Sequence, residues 1–261
     1  MAEAVSSERN PLLKEIRRAV ARGSLTEDGF AVAESFHLLE EALASDCEIG
    51  AVIVAESVRN TVAAHVRGLK RTRVVAVRDA LFATIASTET TQGVIALVRP
   101  PAWTMEQLLR GKSLLIVLDG VQDPGNAGAI VRAAEAFGAT GAAFLKGAAS
   151  PYHPKALRAS AGSIFRLPVT SGADENLLLA ALDQRGIALY EASPHAATPL
   201  ADADFSRRTA IVIGSEGRGV SPKIAGRATG VKIPTTGVES LNAAVAAGVL
   251  LYEARRQRTK A

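Results

Sequence analysis

Residues Leu114–Leu118 read Leu-Leu-Ile-Val-Leu, without a polar break. A half-buried strand alternates apolar with polar and an amphipathic helix repeats every three to four residues. A short uninterrupted run therefore describes a strand covered on both faces. Further strand candidates follow at Ala142–Leu145, Ala188–Glu191, Ala210–Ile213 and Val231–Ile233. Helical patterns fall between and after them at Ala127–Phe137, Leu177–Arg185 and Leu241–Arg256. Strands alternating with helices build a parallel α/β sheet. The last helix is apolar nearly all round, with Leu241, Val245, Val249 and Tyr252 on one side and Ala244, Gly248 and Leu251 on another. Such a helix is buried in a core or in a subunit interface.

The first half has shorter segments. Asn10-Pro11 is an N-cap followed by proline, opening a helix with the apolar stripe Leu12, Leu13, Ile16, Ala19 and Val20. Strands are expected at Phe30–Ala33, Ile49–Ala55, Arg73–Val77 and Gly93–Val98, and helices at Phe36–Ala44 and Val58–Val66. Arg99-Pro100-Pro101 ends this small α/β domain, since consecutive prolines cannot continue a ladder. The expected organisation is a first domain over 1–99, a linker over 100–113 with a short helix at Met105–Arg110, and a second domain over 114–261. The second domain is expected to fold when residues up to Arg99 are removed.

Composition narrows the function classes. With 48% hydrophobic and 21% charged residues the chain is globular, not disordered. No apolar run reaches the roughly 18 residues of a membrane helix, so no membrane association is expected. Met1-Ala2-Glu3 opens without a basic, apolar leader, and a cytoplasmic location is expected. Cys47 is the only cysteine and the four histidines form no HxxxH or HxH pair, so no metal site is expected. The net charge is +4, yet the first 99 residues hold 12 basic and 13 acidic side chains. Attraction to phosphates would come from bunching at Arg9–Arg22 and at Arg67–Arg78, the latter including Lys70, Arg71 and Arg73. Aromatics are only 4%, which disfavours a reader that stacks bases on rings.

Three glycine-punctuated segments follow strand ends in the second half: Asp119–Arg132, Ile213–Gly219 and Ile233–Asn242. Ligands of open parallel sheets lie beyond the C-terminal strand ends. Gly214-x-x-Gly217-x-Gly219 reverses the dinucleotide spacing, and Gly111-Lys112-Ser113 lacks the first glycine of a P-loop, so a dehydrogenase or NTPase is disfavoured. Asn126 is also placed to cap the helix beginning near Ala127, and Ser240 to cap the last helix. Arg132 and Glu216 are also compatible with solvated surface.

Together the segments resemble the SpoU/TrmH branch of the SPOUT family of RNA 2′-O-ribose methyltransferases. Asn126-x-Gly128-x-x-x-Arg132 is similar to its first motif, Gly214-Ser-Glu-Gly-x-Gly219 to its second, and Ile233-Pro-x-x-Gly237-x-x-x-Ser240-Leu-Asn242 to its third. Arg158-Ala-Ser160-Ala-Gly162 also matches, and Thr88-x-Thr90-x-Gln92-Gly-Val94 looks like the end of the family's substrate-binding domain. The chain departs from the pattern at Ala33-Glu34-Ser35, where many members have Glu-Gly, at Thr235, where Met is common, and at Ala243-Ala244, where Val-Ser is common.

The resemblance implies a small N-terminal α/β RNA-binding domain and a C-terminal parallel-sheet α/β domain with a deep trefoil knot. It implies S-adenosyl-L-methionine as cofactor, a homodimer formed through the last helix, and RNA as substrate, with rRNA ahead of tRNA. A catalytically silent RNA-binding relative is the alternative. By the same resemblance the catalytic candidates are Asn126, Arg132, Glu216, Ser240 and Asn242. The cofactor candidates are Gly214, Glu216, Gly219, Ile233 and Leu241, met largely through main chain. Arg17, Arg18, Arg22, Arg132 and Arg158 are the RNA-contact candidates.

Overall fold

The structure is a computed structural model and describes residues 3–65 and 72–259. Along the chain run β1 (Glu3–Val5), α1 (Pro11–Arg22), β2 (Ala31–Glu34), α2 (Phe36–Ala44), β3 (Glu48–Ala55), α3 (Arg59–His65), β4 (Arg73–Val77), α4 (Asp79–Ala83) and β5 (Val94–Arg99). Then come α5 (Met105–Leu108), β6 (Leu114–Asp119), α6 (Pro124–Ala136), β7 (Gly141–Leu145), α7 (Pro154–Ser160), α8 (Ser163–Arg166), β8 (Val169–Ala173) and α9 (Glu175–Gln184). The chain closes with β9 (Ala188–Ala192), β10 (Thr198–Pro199), β11 (Thr209–Gly214), α10 (Pro222–Ala225), β12 (Thr229–Lys232) and α11 (Ala243–Thr259). These elements form two compact units, Met1–Pro101 with Tyr152–Arg166, and Ala102–Pro151 with Leu167–Ala261.

The second unit is a seven-stranded sheet in the order β10-β12-β9-β11-β6-β7-β8, parallel throughout. Leu114–Leu118 are fully buried, as an uninterrupted apolar run on a doubly covered strand requires. The edge strands β8 and β10 are unexpected from the sequence. Val-Thr-Ser-Gly-Ala of β8 is half exposed and β10 has two residues, so neither carries a hydrophobic pattern. Helix α11 packs on α6 and β11 and buries Ala243, Ala247, Leu250, Leu251 and Ala254. Its opposite side leaves Val245 51% and Tyr252 56% exposed. Near its end Arg258 donates to the carbonyls of Lys112 at 2.7 Å, Ser113 at 2.9 Å and Phe205 at 2.9 Å, and also to that of Arg207. This ties the helix to the starts of β6 and β11. Among the described residues no helix is long and apolar enough to cross a membrane.

The first unit holds a five-stranded sheet in the order β1-β4-β3-β5-β2, in which β5 runs antiparallel to β3 and β2 and the remaining pairs are parallel. Asn10 Oδ1 accepts from Leu12 N at 3.0 Å, and Leu13, Ile16 and Ala19 seat α1 against the core. The expected helix ending at Val66 is seen as α3, and Val66 lies outside the described residues.

The segment Tyr152–Arg166, expected in the second domain, is gathered into the first unit. Its Ala156, Leu157, Ile164 and Phe165 are at most 2% exposed, Arg166 pairs with Glu41, and α7 lies on β2. Helices of seven and four residues are too short to reveal in sequence which core they serve. A chain beginning after Arg99 would bare these side chains, so removal of residues up to Arg99 cuts through a packed unit.

The last residue of β2, Glu34, is 3% exposed. Its carboxylate accepts from Ser87 N at 2.6 Å, Ser87 Oγ at 2.5 Å and Thr88 Oγ1 at 2.7 Å, and Arg158 Nη1 donates to Ser87 Oγ at 2.6 Å. The following Ser35 adopts φ 142°, a region costly for a residue with a Cβ, while its hydroxyl caps α2 at Leu38 N. Burial raises the Glu34 pKa, but hydrogen bonds from Ser87, Thr88 and Thr91 outweigh it and hold the carboxyl below its ordinary value. A carboxyl depressed in the folded state stabilises above its unfolded pKa of about 4.3, and that contribution is lost as pH falls through the folded value. Glu34→Gln is therefore expected to lower stability at pH 7 by about 2 kcal/mol, because the amide mismatches donors that need an acceptor. Urea melts of both proteins should show the gap closing below about pH 4; a gap independent of pH would contradict the assignment.

Candidate active site

The register of the second sheet brings two of the glycine loops together. Gly214 at the end of β11 lies opposite Asp119 at the end of β6, so the turns after both strands leave the sheet side by side. Ser215 and Gly219 exchange backbone hydrogen bonds at 2.9 Å and close a small hairpin, which Gly219 turns at φ 68°. A Cβ on Gly214 would stand 2.3 Å from the Gly219 carbonyl carbon. Glycine at 214 is thus required by the protein's own hairpin. Asp119 Oδ2 accepts from Ser221 N at 2.6 Å and anchors the far side of the loop. The third segment, 233–242, leaves β12 and returns past β9 and β11 to start α11.

All three segments meet at Asn126. Asp123, not Asn126, caps α6, accepting from Asn126 N at 2.8 Å. That leaves the Asn126 carboxamide free to reach across: its Nδ2 donates to Glu216 Oε1 at 2.9 Å, and its Oδ1 accepts from Asn242 Nδ2 at 3.0 Å. Asn242 Oδ1 in turn accepts from Ala244 N at 3.0 Å and Val245 N at 3.3 Å, so Asn242, not Ser240, caps α11. Carboxylate, amide and helix N-terminus form one directional relay, each group used in the only sense its chemistry allows.

The other candidates are placed apart from this relay. Ser240 is exposed on the third segment with no side-chain hydrogen bond among the described residues. Arg132 is exposed on α6 and likewise unpaired; helix geometry sets it about 9 Å further along the axis than Asn126. Arg158 belongs to the first unit and is held by Ser87. On α1, Arg17 donates to Thr84 Oγ1 at 3.0 Å and Arg18 pairs with Glu27, while Arg22 is exposed without a partner among the described residues. Arg67, Lys70 and Arg71 lie outside the described residues, and Arg73 pairs with Glu3 at 2.7 Å.

Two hollows flank the Gly214–Arg218 hairpin. The smaller, about 220 Å³, is bounded by Gly120–Asp123 and Asn126. The larger, about 790 Å³, takes its walls from the ends of β9, β11 and β12 and from the third segment, including Gly214, Glu216, Gly219, Ile233, Leu241 and Ser240. That volume accommodates a nucleoside-sized molecule. Its walls combine main chain from Gly214 and Gly219 with the aliphatic Ile233 and Leu241, which suits an adenosine with a short polar tail. All five cofactor candidates border this cavity. Among the described residues no group of three or more His, Cys, Asp or Glu is placed to hold a metal ion.

A parallel sheet whose switch-point loops enclose a nucleoside-sized cavity beside a fixed polar relay defines an enzyme that works on a nucleotide-type cofactor. Comparison with known proteins specifies the chemistry. The SpoU rRNA Methylase family profile matches residues 113–252, and the MRM3-like substrate binding domain profile matches residues 10–96. An uncharacterized tRNA/rRNA methyltransferase of Synechocystis sp. is 36% identical over 97% of this chain and 94% of its own length. The 23S rRNA (guanosine(2553)-2′-O)-methyltransferase RlmP of Bacillus subtilis is 29% identical over 96% of this chain and 98% of its own. The crystal structure of the SpoU methyltransferase AviRb from Streptomyces viridochromogenes with AdoMet superposes with a TM-score of 0.88 at 28% identity, covering 96% of this chain and 99% of that one. The chain belongs to the SpoU rRNA methylase family and is an RNA methyltransferase that uses S-adenosylmethionine.

Sequence reasoning passed over Asp119 and Glu191. Both are acidic residues at the C-terminal end of a parallel strand, and that position was the available signal. The double duty of Asn242 as cap and donor yields a discriminating pair of substitutions. Asn242→Asp keeps a capping oxygen but cannot donate to Asn126; Asn242→Ala loses both. The aspartate variant is expected to melt within about 0.5 kcal/mol of the parent and the alanine variant about 1 kcal/mol below it. Both are expected to lose methyl transfer at least about tenfold. Urea melts paired with rates of tritium transfer check this, and full activity in the aspartate variant would remove the donor role.

Proposed function

We propose that the enzyme transfers the methyl group to a ribose 2′-hydroxyl of structured RNA, that the RNA is ribosomal, and that the first unit selects it. The relay Glu216–Asn126–Asn242 beside the larger cavity carries the reading: it gives a polar wall of fixed direction where an acceptor ribose must be held. RlmP, named for 23S rRNA, and the AdoMet-bound AviRb align over both units, which supports an rRNA target over one needing the catalytic domain alone. The family's knotted path through the third segment and a cytoplasmic location belong to the same reading.

When bound, S-adenosylmethionine supplies an electrophilic methyl, so the protein's task is placement and charge. Holding the ribose oxygen in line at about 3–3.5 Å accounts for much of the acceleration. Asn126, with Glu216 and Asn242 behind it, orients the acceptor, and Ser240 completes the wall. Arg132 is a poor base, because its guanidinium stays protonated; it clamps the adjoining phosphate and stabilises alkoxide charge as the hydroxyl proton leaves. Its exposure without a partner supports this, since a cation meant for RNA is not already neutralised. On α1, Lys14, Arg18 and Arg22 share one exposed stripe at four-residue spacing; Arg18 pairs with Glu27, which leaves Lys14 and Arg22 as its cations for RNA phosphates.

Arg132→Ala is expected to abolish methylation of rRNA while affinity for S-adenosylhomocysteine changes less than about twofold. Ribose-methylation mapping in rRNA from cells with and without the gene, together with calorimetry on the variant, tests both halves. Loss of cofactor binding in parallel with activity would move Arg132 to the cofactor site, and unchanged rRNA would remove the target.

The open side of α11 supports a homodimer. Val245 and Tyr252, seven residues apart on that side, are both more than half exposed, and Tyr252 lies edge-on to Phe137 at 5.8 Å. Light scattering at micromolar concentration is expected to give twice the 27.1 kDa chain mass. Tyr252→Glu is expected to give monomers; a parent protein already monomeric would dismiss the interface.

A further inference from the structure

Two carboxylates that the relay does not use line the larger cavity, Glu191 and Glu239; Glu239 is exposed on the third segment, whereas Glu191 is set into the sheet. Glu191 lies near the C-terminal end of β9, opposite Val212 of β11 and Gly230 of β12, and lines the cavity together with Gly214 and Ile233. It is half-buried and has no hydrogen bond or ion pair among the described residues. Gly230 stands beside it: a Cβ there would be in ordinary contact with Glu191 Oε1 at 3.5 Å and tight against Ala196 Cβ at 3.1 Å. A half-buried carboxylate without a protein partner keeps its acceptor oxygens available to a ligand's donors.

The position indicates which donors. β9 is the immediate neighbour of β11, the strand whose end carries the glycine hairpin. In dinucleotide-binding parallel sheets an acidic residue at the end of the strand beside the glycine loop accepts from the adenosine ribose hydroxyls. Two carboxylate oxygens also match a vicinal diol in spacing and hydrogen-bonding sense. We propose that Glu191 binds the 2′- and 3′-hydroxyls of the cofactor's ribose and makes this enzyme discriminate against deoxyribose analogues. Burial pushes the Glu191 carboxyl up from its ordinary value, as fits an acceptor shielded from water.

The test is binding, not turnover. Calorimetry on the full chain would compare S-adenosylhomocysteine with its 2′-deoxy and 3′-deoxy analogues, for the parent protein, Glu191→Ala and Glu191→Gln. The parent is expected to bind each deoxy analogue about tenfold more weakly, the worth of one charge-assisted hydrogen bond. Glu191→Ala is expected to bind S-adenosylhomocysteine at least about tenfold more weakly and to distinguish it from the analogues by less than about twofold. Glu191→Gln, which keeps one acceptor, should show an intermediate ratio and serves alone if the alanine variant fails to fold. A discrimination ratio equal in parent and variants, or unaltered affinity in Glu191→Ala, would overturn the proposal. A parent protein that bound none of these ligands would overturn the cofactor site itself, a result distinguishable from the first.

Discussion

A single carboxamide, that of Asn126, fixes three loops that sequence keeps 90 and 116 residues apart. A side-chain amide has a donor end and an acceptor end, and here each has a different partner: the Glu216 carboxylate takes the N–H and the Asn242 amide offers one to the oxygen. Reversing Asn126 would set oxygen against carboxylate and nitrogen against nitrogen, so only one orientation is tolerated. The Asn242 end extends into the backbone of α11, which the Arg258 clamp holds to β6 and β11 at its other end. Helix position, loop closure and the polar wall of the site therefore depend on one another.

The glycines around this relay have separate duties. Gly214 is small because the hairpin folds back on it, and Gly219 because the turn demands a positive φ. Neither reason involves a ligand, yet both bring main chain to the cavity surface, where backbone groups can meet an adenosine. A binding surface made of backbone follows from the steric demands of the hairpin. Thr235, standing where methionine is common in the family, closes its own turn by donating to the Val238 carbonyl at 2.9 Å and so keeps the third segment compact by another route.

The first unit depends on a comparable buried centre. Glu34 draws together β2, the Ser87–Thr91 turn and, through Ser87, Arg158 of α7. The motif around Arg158 and Gly162 thus serves packing: Arg158 is occupied by Ser87, and a Cβ on Gly162 would come to 2.5 Å from Glu41 Cβ. Ser35 holds its strained backbone beside Glu34 while gaining a cap on α2, a compromise a glycine would resolve differently.

Local pattern alone determined much of this protein. The run Leu114–Leu118 implied a strand buried on both faces, strand and helix alternation implied a parallel sheet, and the loops after its strands marked the site. These follow from short-range periodicity and the chemistry of glycine and proline. Caps and partners were decided by tertiary structure. Asn126 and Ser240 were each acceptable as caps in sequence; Asp123 and Asn242 took those places, because the choice depends on where each helix starts to the nearest residue. Apolar composition suggested burial of α11 in a core or in a subunit interface, and only packing on α6 and β11 decided which side the chain's own core covers, with Val245 and Tyr252 on the other. Tyr152–Arg166 reads as part of the second half yet packs in the first unit, since sequence proximity does not specify which core a short helix joins. Sequence encodes the period of a segment within a few residues, but a contact between residues about a hundred positions apart exists only once the sheet order has brought them together.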